Sequence, residues 1–259
     1  MSLTYFSELL PVLAERAKLA AISRLGFANV PLRRHLAEVF DRPYGERGAF
    51  LADPAFEAVF GWQAAEPRMG NLAGSLLTER LVQAMDKVQG DLREDYRFPH
   101  DRQPYLHQLQ AWRVLAQDTP QSLVVASGTG SGKTECFMVP ILDRLVRQNT
   151  DLRGPLIGVR ALFLYPLNAL INSQRERLRA WTQSFGGDLR FCLYNGNTPE
   201  TLPARERREH PNEVLDRETL RTSPPPILVT NATMLEYMLV RTADKPILDH
   251  SQGKLEWVV

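Results

Sequence analysis

Cysteine is scarce in this sequence: two in 259 residues, Cys136 and Cys192, with no C-x-x-C pair. That excludes a disulfide framework, and the two thiols read as buried groups of a chain kept in a reducing, cytoplasmic compartment. The five histidines are scattered, so no zinc-ligand spacing exists. Net charge is nearly absent as well, with 31 Lys and Arg against 30 Asp and Glu. No global basic field draws nucleic acid to such a chain, and any contact of that kind must be local. Long apolar runs are missing, none approaching the ~20 residues that span a bilayer. The start, MSLTYFSELLP, has no basic residue and carries Glu8, which argues against a signal peptide. No membrane partner is expected. The length is enough for a large core or for two domains.

What the sequence does have is concentrated between Ser122 and Leu142, SLVVASGTGSGKTECFMVPIL. Leu123, Val124 and Val125 form an apolar, β-branched run that predicts a strand. A loop holding Gly128, Gly130 and Gly132 follows, closed by Lys133 and Thr134, and a helix-compatible run comes next. Glycines allow the backbone to turn its N–H groups inward toward phosphate oxygens, at a helix N-terminus whose dipole already favours anions. Lys133 adds a point charge to those oxygens and the Thr134 hydroxyl suits Mg²⁺. The stretch expected to contact a nucleotide is Ser127, Gly128, Thr129, Gly130, Ser131, Gly132, Lys133, Thr134 and Glu135. Lys133 and Thr134 are the catalytic candidates. Ser127 stands where G-x-x-x-x-G-K-[ST] has its first glycine. A phosphate cradle alone does not name a function, because kinases, GTPases, transporters and motors all use one.

Organisation changes near residue 96. Before it, Phe6–Gly26, Pro31–Phe40, Pro54–Phe60 and Leu72–Val88 have apolar spacing near 3.6 and predict helices, separated by loops at DRPYGERG and AEPRMGN. Residues 1–95 are therefore expected to be a helical accessory region, either covering the rest of the chain or offering a surface to a protein partner. After residue 96, strands are expected at Leu123, Ala161, Arg190, Ile227 and Leu255, with helices from Gly132, Asn168 and Ala232. That alternation predicts an α/β fold with a parallel sheet flanked by helices. The polar stretch between Pro199 and Pro226 carries Arg205, Arg207 and Arg208, interleaved with Glu206 and Glu209. A solvated helical face is the first reading of it and a nucleic-acid contact the second. The same two readings apply to Arg175, Arg177 and Arg179, which surround Glu176.

The run GKTECFMVPIL, with Pro140 inside its helix, resembles the GKT-x-x-F-x-x-P-x-L run of DEAD/DEAH-box helicases. Upstream, PYLHQLQAW resembles the helicase Q motif, which implies that Gln108 pairs with adenine N6 and N7, as amides do elsewhere. Gln110 competes for that role, and Tyr105 or Phe98 is available to stack on the base. Downstream, ALFLYPLNALINSQ is similar to motif Ia in its Tyr-Pro-x-x-Ala-Leu form, with Asn168 suited to cap the helix start. FCLYNGNTPE resembles a Tyr-x-Gly-Asp-Thr-Pro segment, with Asn197 replacing Asp. ILVTNATMLEYMLVR resembles motif Ib, with Ala232 replacing a proline. LADPAFEAVFGW (51–62) is also similar to the N-terminal region of such proteins. The resemblance is to the first RecA-like domain of superfamily 2 helicases, closest to large bacterial repair and phage-defence types, and spans about Phe98 to Val259.

It implies that residues 96–259 are an ATP-binding domain using ATP and Mg²⁺. It also implies that Asn168, Thr230 and Asn231 contact single-stranded DNA or RNA. The family's metal-binding Asp-Glu dipeptide occurs nowhere in the sequence. LEWVV reads as the strand that precedes it, so the chain is expected to be an N-terminal piece of a larger motor. Its second RecA-like domain, with an arginine finger worth about 10³–10⁵ in rate, is the expected partner. A different P-loop translocase, or a non-catalytic nucleotide- or nucleic-acid-binding module, remains an alternative at this point.

Overall fold

The computed structural model describes residues 3–26, 28–55, 61–119, 121–152 and 154–259. They fall into two compact units, Met1–Gly61 and Trp62–Val259. In the first, α1 (Leu3–Leu25) packs on α2 (Val30–Phe40). Asn29 caps α2 by accepting from Leu32 N at 3.0 Å, and Pro31 sits in the first turn, where a missing N–H costs nothing. Lys18 closes the pair by bridging Glu15 and Asp41. The helix expected over Pro54–Phe60 and the centre of the LADPAFEAVFGW segment lie outside the described residues.

The second unit begins with four short helices: α3 (Met69–Leu72), α4 (Glu79–Asp86), α5 (Leu92–Tyr96) and α6 (Leu106–Leu115). The single helix expected over Leu72–Val88 is broken. Ala73–Thr78 turns back on itself, Gly74 takes φ +74°, and Thr78 then caps α4 by accepting from Leu81 N. The boundary expected near residue 96 falls inside this unit. Leu81, Met85 and Phe98 are buried in the same core cluster as residues of the sheet, so the chain divides between Gly61 and Trp62 instead.

The remaining elements are α7 (Lys133–Leu152), β1 (Ala161–Leu164), α8 (Asn168–Thr182), β2 (Phe191–Leu193), α9 (Ala204–Glu209), β3 (Glu213–Val214), α10 (Arg217–Thr222), β4 (Ile227–Thr230), α11 (Ala232–Val240), α12 (Lys245–Ser251) and β5 (Trp257–Val258). The sheet runs β3-β2-β4-β1-β5 and every pairing is parallel, with Ala161 opposite both Ile227 and Trp257. This is the expected α/β class. Successive residues of each strand serve opposite faces. Ala161, Phe163, Phe191, Leu193, Ile227 and Val229 join one buried cluster, roofed by residues of α4, α6, α7 and α8. Leu162, Cys192 and Leu228 join the other, with Leu220, Met234, Met238 and Ile247. A sheet covered on both faces explains why the strands read as unbroken apolar runs. No described helix is long and apolar enough to cross a membrane.

One further expectation fails in this unit. Leu123–Val125 is not a strand: it has no ladder partner among the described residues, and Val124 is 92% exposed. A cavity of about 530 Å³, lined by Leu123 and Val125 and by Trp257 and Val258 of β5, occupies the space where a pairing chain would have to lie. Without such a chain, β-propensity has no hydrogen bonds to satisfy. The basic cluster of the polar stretch 199–226 lies, as first read, on a solvated helical face, α9, which has no buried residue, while the same stretch also supplies β3, the sheet's edge beyond β2, and α10.

Candidate nucleotide and nucleic-acid sites

The glycine loop adopts the geometry its composition demands. Gly130 and Gly132 have φ of 78° and 73°, a region that side chains avoid. A Cβ on Gly132 would collide with the Gln108 amide and crowd Glu135 Oε2. Ser127 Oγ and Ser131 Oγ are 2.6 Å apart, so the serine in the first glycine's place closes the loop across its neck. Lys133, the first residue of α7, turns its ammonium back into the loop and donates to Ser127 O at 2.9 Å and to Gly128 O at 2.8 Å. Thr134 and Glu135 follow in the first helical turn. Gly128, Thr129 and Gly130 are exposed, and the loop opens on a cavity of about 480 Å³ bordered by Tyr105, Gln108, Lys133, Thr134 and Arg177.

The two candidate glutamines separate cleanly. Gln108 is buried and bonded to the loop, accepting from Tyr105 N at 2.9 Å and donating to Gly132 O at 3.2 Å. Gln110 is exposed on the other side of α6. Of the aromatic candidates, Phe98 is 4% exposed, with Trp112 edge-on at 6.5 Å and the Arg102 guanidinium at 4.7 Å. It has no free face for a base. Tyr105 is half-buried at the cavity rim and stacks on His107.

Charge around the loop is balanced. Glu135 pairs with Arg177 at 3.3 Å, and the Arg177 guanidinium also lies over the Tyr96 and Trp181 rings. Burial pushes the Cys136 thiol up to about 11 and the Tyr165 hydroxyl up to about 12, so both stay neutral near pH 7. No group of three or more His, Cys, Asp or Glu among the described residues forms a ready-made metal cage.

At the carboxyl ends of β1 and β4 the structure brings Asn168 and Asn231 together, 63 residues apart in sequence, with Asn231 Nδ2 donating to Asn168 Oδ1 at 3.0 Å. Asn231 is also the N-cap of α11, accepting from Met234 N at 2.8 Å. Asn168 does not cap its helix: Leu167 holds the N-cap position without a side-chain bond, so Asn168 is spent on Asn231. Two helix N-termini, α8 and α11, thus open side by side. Thr230 does not reach that surface. Its side chain is fully buried and its hydroxyl donates to Tyr194 O at 2.6 Å, tying β4 to the end of β2.

Of the arginines that sequence left open, five lie near carboxylates. Arg175 and Arg179 both hold Glu213, whose side chain is 1% exposed, and Arg177 holds Glu135. Arg207 is drawn to buried Asp216 at 3.4 Å, and Arg205 lies 3.8 Å from Glu209. Sequence reading missed His107, Trp112 and Trp62, which all touch the loop or the helix it feeds. The only signal for them was their closeness to Gln108, or an isolated tryptophan.

The model of the DEAD/DEAH box helicases matches residues 105–259. Similar proteins include Druantia protein DruE of Escherichia coli (strain UMEA 4076-1), 37% identical over 123 residues, or 42% of this chain and 6% of that protein. Another is the uncharacterized ATP-dependent helicase YprA of Bacillus subtilis (strain 168), 27% identical over 154 residues, or 59% of this chain and 18% of that one. This chain therefore spans only a small part of either relative. Among solved structures, the DUF1998 helicase MrfA bound to DNA and AMPPNP aligns over 73% of this chain and 21% of its own, at 24% identity and a TM-score of 0.47. The family match begins at the turn that presents Gln108, takes in the whole glycine loop and ends with the last strand, and on that extent the chain belongs to the DEAD/DEAH box helicase family.

Proposed function

We propose that this chain is the ATP-binding part of an ATP-dependent nucleic-acid helicase or translocase. The observation that carries the reading is the glycine loop itself: two positive-φ glycines leading straight into the N-terminus of α7, with Lys133 in the cradle and a cavity alongside. The donor set suits a polyphosphate with its cation. Loop N–H groups and the helix terminus would meet the anion, Lys133 would exchange two carbonyls for phosphate oxygens, and Thr134 would offer its hydroxyl to Mg²⁺. Mg²⁺ commonly keeps waters and binds through substrate phosphates with few protein ligands, so the absence of a carboxylate cage is compatible with it. Bound there, the ion would neutralise phosphate charge. Gln108 and Tyr105 are assigned to the base.

Single-stranded nucleic acid is assigned to the paired N-termini of α8 and α11, through Asn168, Asn231 and helical N–H groups. Such donors suit phosphate oxygens and do not read bases. Thr230 supports that surface from behind by holding the strand ends. A second motor domain is assigned as the partner that completes the ATP cleft. The first unit, which leaves Val12, Leu13 and Leu19 about half exposed, is assigned to protein contacts.

Two measurements test the reading. Anisotropy of a labelled single-stranded oligonucleotide should show weak binding with a shallow salt dependence. The assigned donors carry no full charge, so the log–log slope should be shallower than the roughly −1.4 that two phosphates neutralised by Lys or Arg would give at about −0.7 each. Asn231→Ala should weaken that binding, whereas a steep slope unaffected by this change would move the contact to the arginines of residues 205–208. Phosphate release from ATP by this chain alone should match that of Lys133→Ala, with or without oligonucleotide, because the sequence holds no Asp-Glu pair to position metal and water. Turnover clearly above that control would refute the assigned division of labour.

A further inference from the structure

Helix α6 reaches the phosphate loop with more than Gln108. His107 Nε2 lies 2.8 Å from Ser131 O, and Trp112 Nε1 donates to Glu135 O at 2.8 Å. A carbonyl oxygen only accepts, so His107 must carry its proton on Nε2. The imidazole is held in place from both sides: it stacks on Tyr105 at 5.7 Å and 14°, and meets the Trp62 ring edge-on at 6.1 Å. Trp62 in turn covers the start of the loop, since a Cβ added to Gly128 would stand 2.8 Å from its ring. Trp112 is fully buried, so its donor cannot swing away.

In a planar trans peptide the C=O and the following N–H point in opposite directions. Fixing Ser131 O on His107 therefore turns the Gly132 N–H away from α6, just as fixing Gly132 O on Gln108 turns the Lys133 N–H away. Free to rotate, the same peptides would present carbonyl oxygens to an anion in some fraction of molecules. Donors set before the ligand arrives cost no reorganisation when it binds.

We propose that His107 and Trp112 are positioning residues of the phosphate site: His107 Nε2–H anchors the Ser131 carbonyl of the loop to α6 and so aims the Gly132 amide at the polyphosphate, while Trp112 Nε1–H, through the Glu135 carbonyl, holds the first turn of α7 against α6. This rests on the nucleotide reading above. Neither residue touches the nucleotide. The role is one of orientation, and it predicts that the hydrogen-bond donor matters and the ring does not.

The test is a titration of Mg-ADP into the full chain and into Lys133→Ala, His107→Ala, His107→Gln and Trp112→Phe, with thermal midpoints taken beside each. Glutamine restores an N–H near the Nε2 position, and phenylalanine keeps the Trp112 packing while removing only the donor. Loss of one ordinary hydrogen bond corresponds to about five-fold in affinity. His107→Ala and Trp112→Phe should each bind about five-fold more weakly, with His107→Gln returning to within about two-fold of the parent. Parent-like affinity in His107→Ala and Trp112→Phe overturns the proposal, as does an equal loss in His107→Ala and His107→Gln. If His107→Ala does not fold, Trp112→Phe and His107→Gln decide it by the same criteria. A parent that binds no better than Lys133→Ala overturns the nucleotide reading and this proposal with it, whereas parent binding that Lys133→Ala abolishes isolates the question to α6.

Discussion

Replacing Asp244 with alanine is expected to lower the thermal midpoint of the second unit by about 6–12 °C, the largest stability loss foreseen for any single change here. Asp244 is fully buried on the short turn before α12. Its carboxylate accepts from Arg221 Nε at 2.9 Å and from Tyr194 OH at 2.8 Å, joining α10, the end of β2 and the turn in one polar knot. Burial first, and the bond to Asp244 second, raise the Tyr194 hydroxyl above its ordinary range, so it remains a donor. Removing one partner of a buried pair costs about 3–5 kcal/mol because the other charge is stranded. The lower end applies here, since the Arg221 side chain is 19% exposed and also meets Glu200. At about 2–4 °C per kcal/mol for a unit of this size, ~3 kcal/mol gives the stated shift. Asp244→Asn, which keeps an acceptor for Tyr194, should lose less. A midpoint unchanged within a degree in Asp244→Ala would show that the knot carries no net stability.

The largest functional effect is expected from Lys133→Ala, which should weaken Mg-ATP binding by roughly 10- to 150-fold, the factor that corresponds to ~1.5–3 kcal/mol for a charge-assisted bond. The lower half of that range is favoured, because the ammonium already donates to Ser127 O and Gly128 O and gains only the difference when it moves to phosphate. The folded state should barely notice, as Gly128 lies at the surface and its carbonyl can take water. Calorimetric titration with Mg-ATP measures the change, and circular dichroism checks the fold. Affinity within two-fold of the parent would remove Lys133 from the site.

The features legible in the sequence were those fixed by local chemistry. Glycines at 130 and 132 need positive φ, and they announced the loop. Apolar runs at 161, 191 and 227 announced strands of a sheet flanked by helices. What stayed hidden depended on partners distant in sequence. Leu123–Val125 has the composition of a strand, yet a strand exists only beside another. Thr230 has the composition of a phosphate contact, but the side-chain alternation along β4 and the Tyr194 carbonyl beside it turn its hydroxyl inward. The Leu72–Val88 helix failed at Gly74, where a left-handed turn interrupted an otherwise suitable period. His107 and Trp112 had no motif of their own. Their donors became visible only once the carbonyls of residues 131 and 135 were seen to lie within reach.

The open space beside β5 bears on how molecules of this chain behave toward one another. Among the described residues no strand pairs with the outer edge of β5, and across the cavity Leu123–Val125 offers a run with Val124 bare. Natural sheets guard such edges with charge, proline or a covering helix. Here Glu256 adjoins β5, but Arg144 at 3.3 Å neutralises much of its repulsion. In concentrated solution that edge is expected to accept a strand from a second molecule. Clumping that a charged substitution at Val124 suppresses would be its signature at the bench.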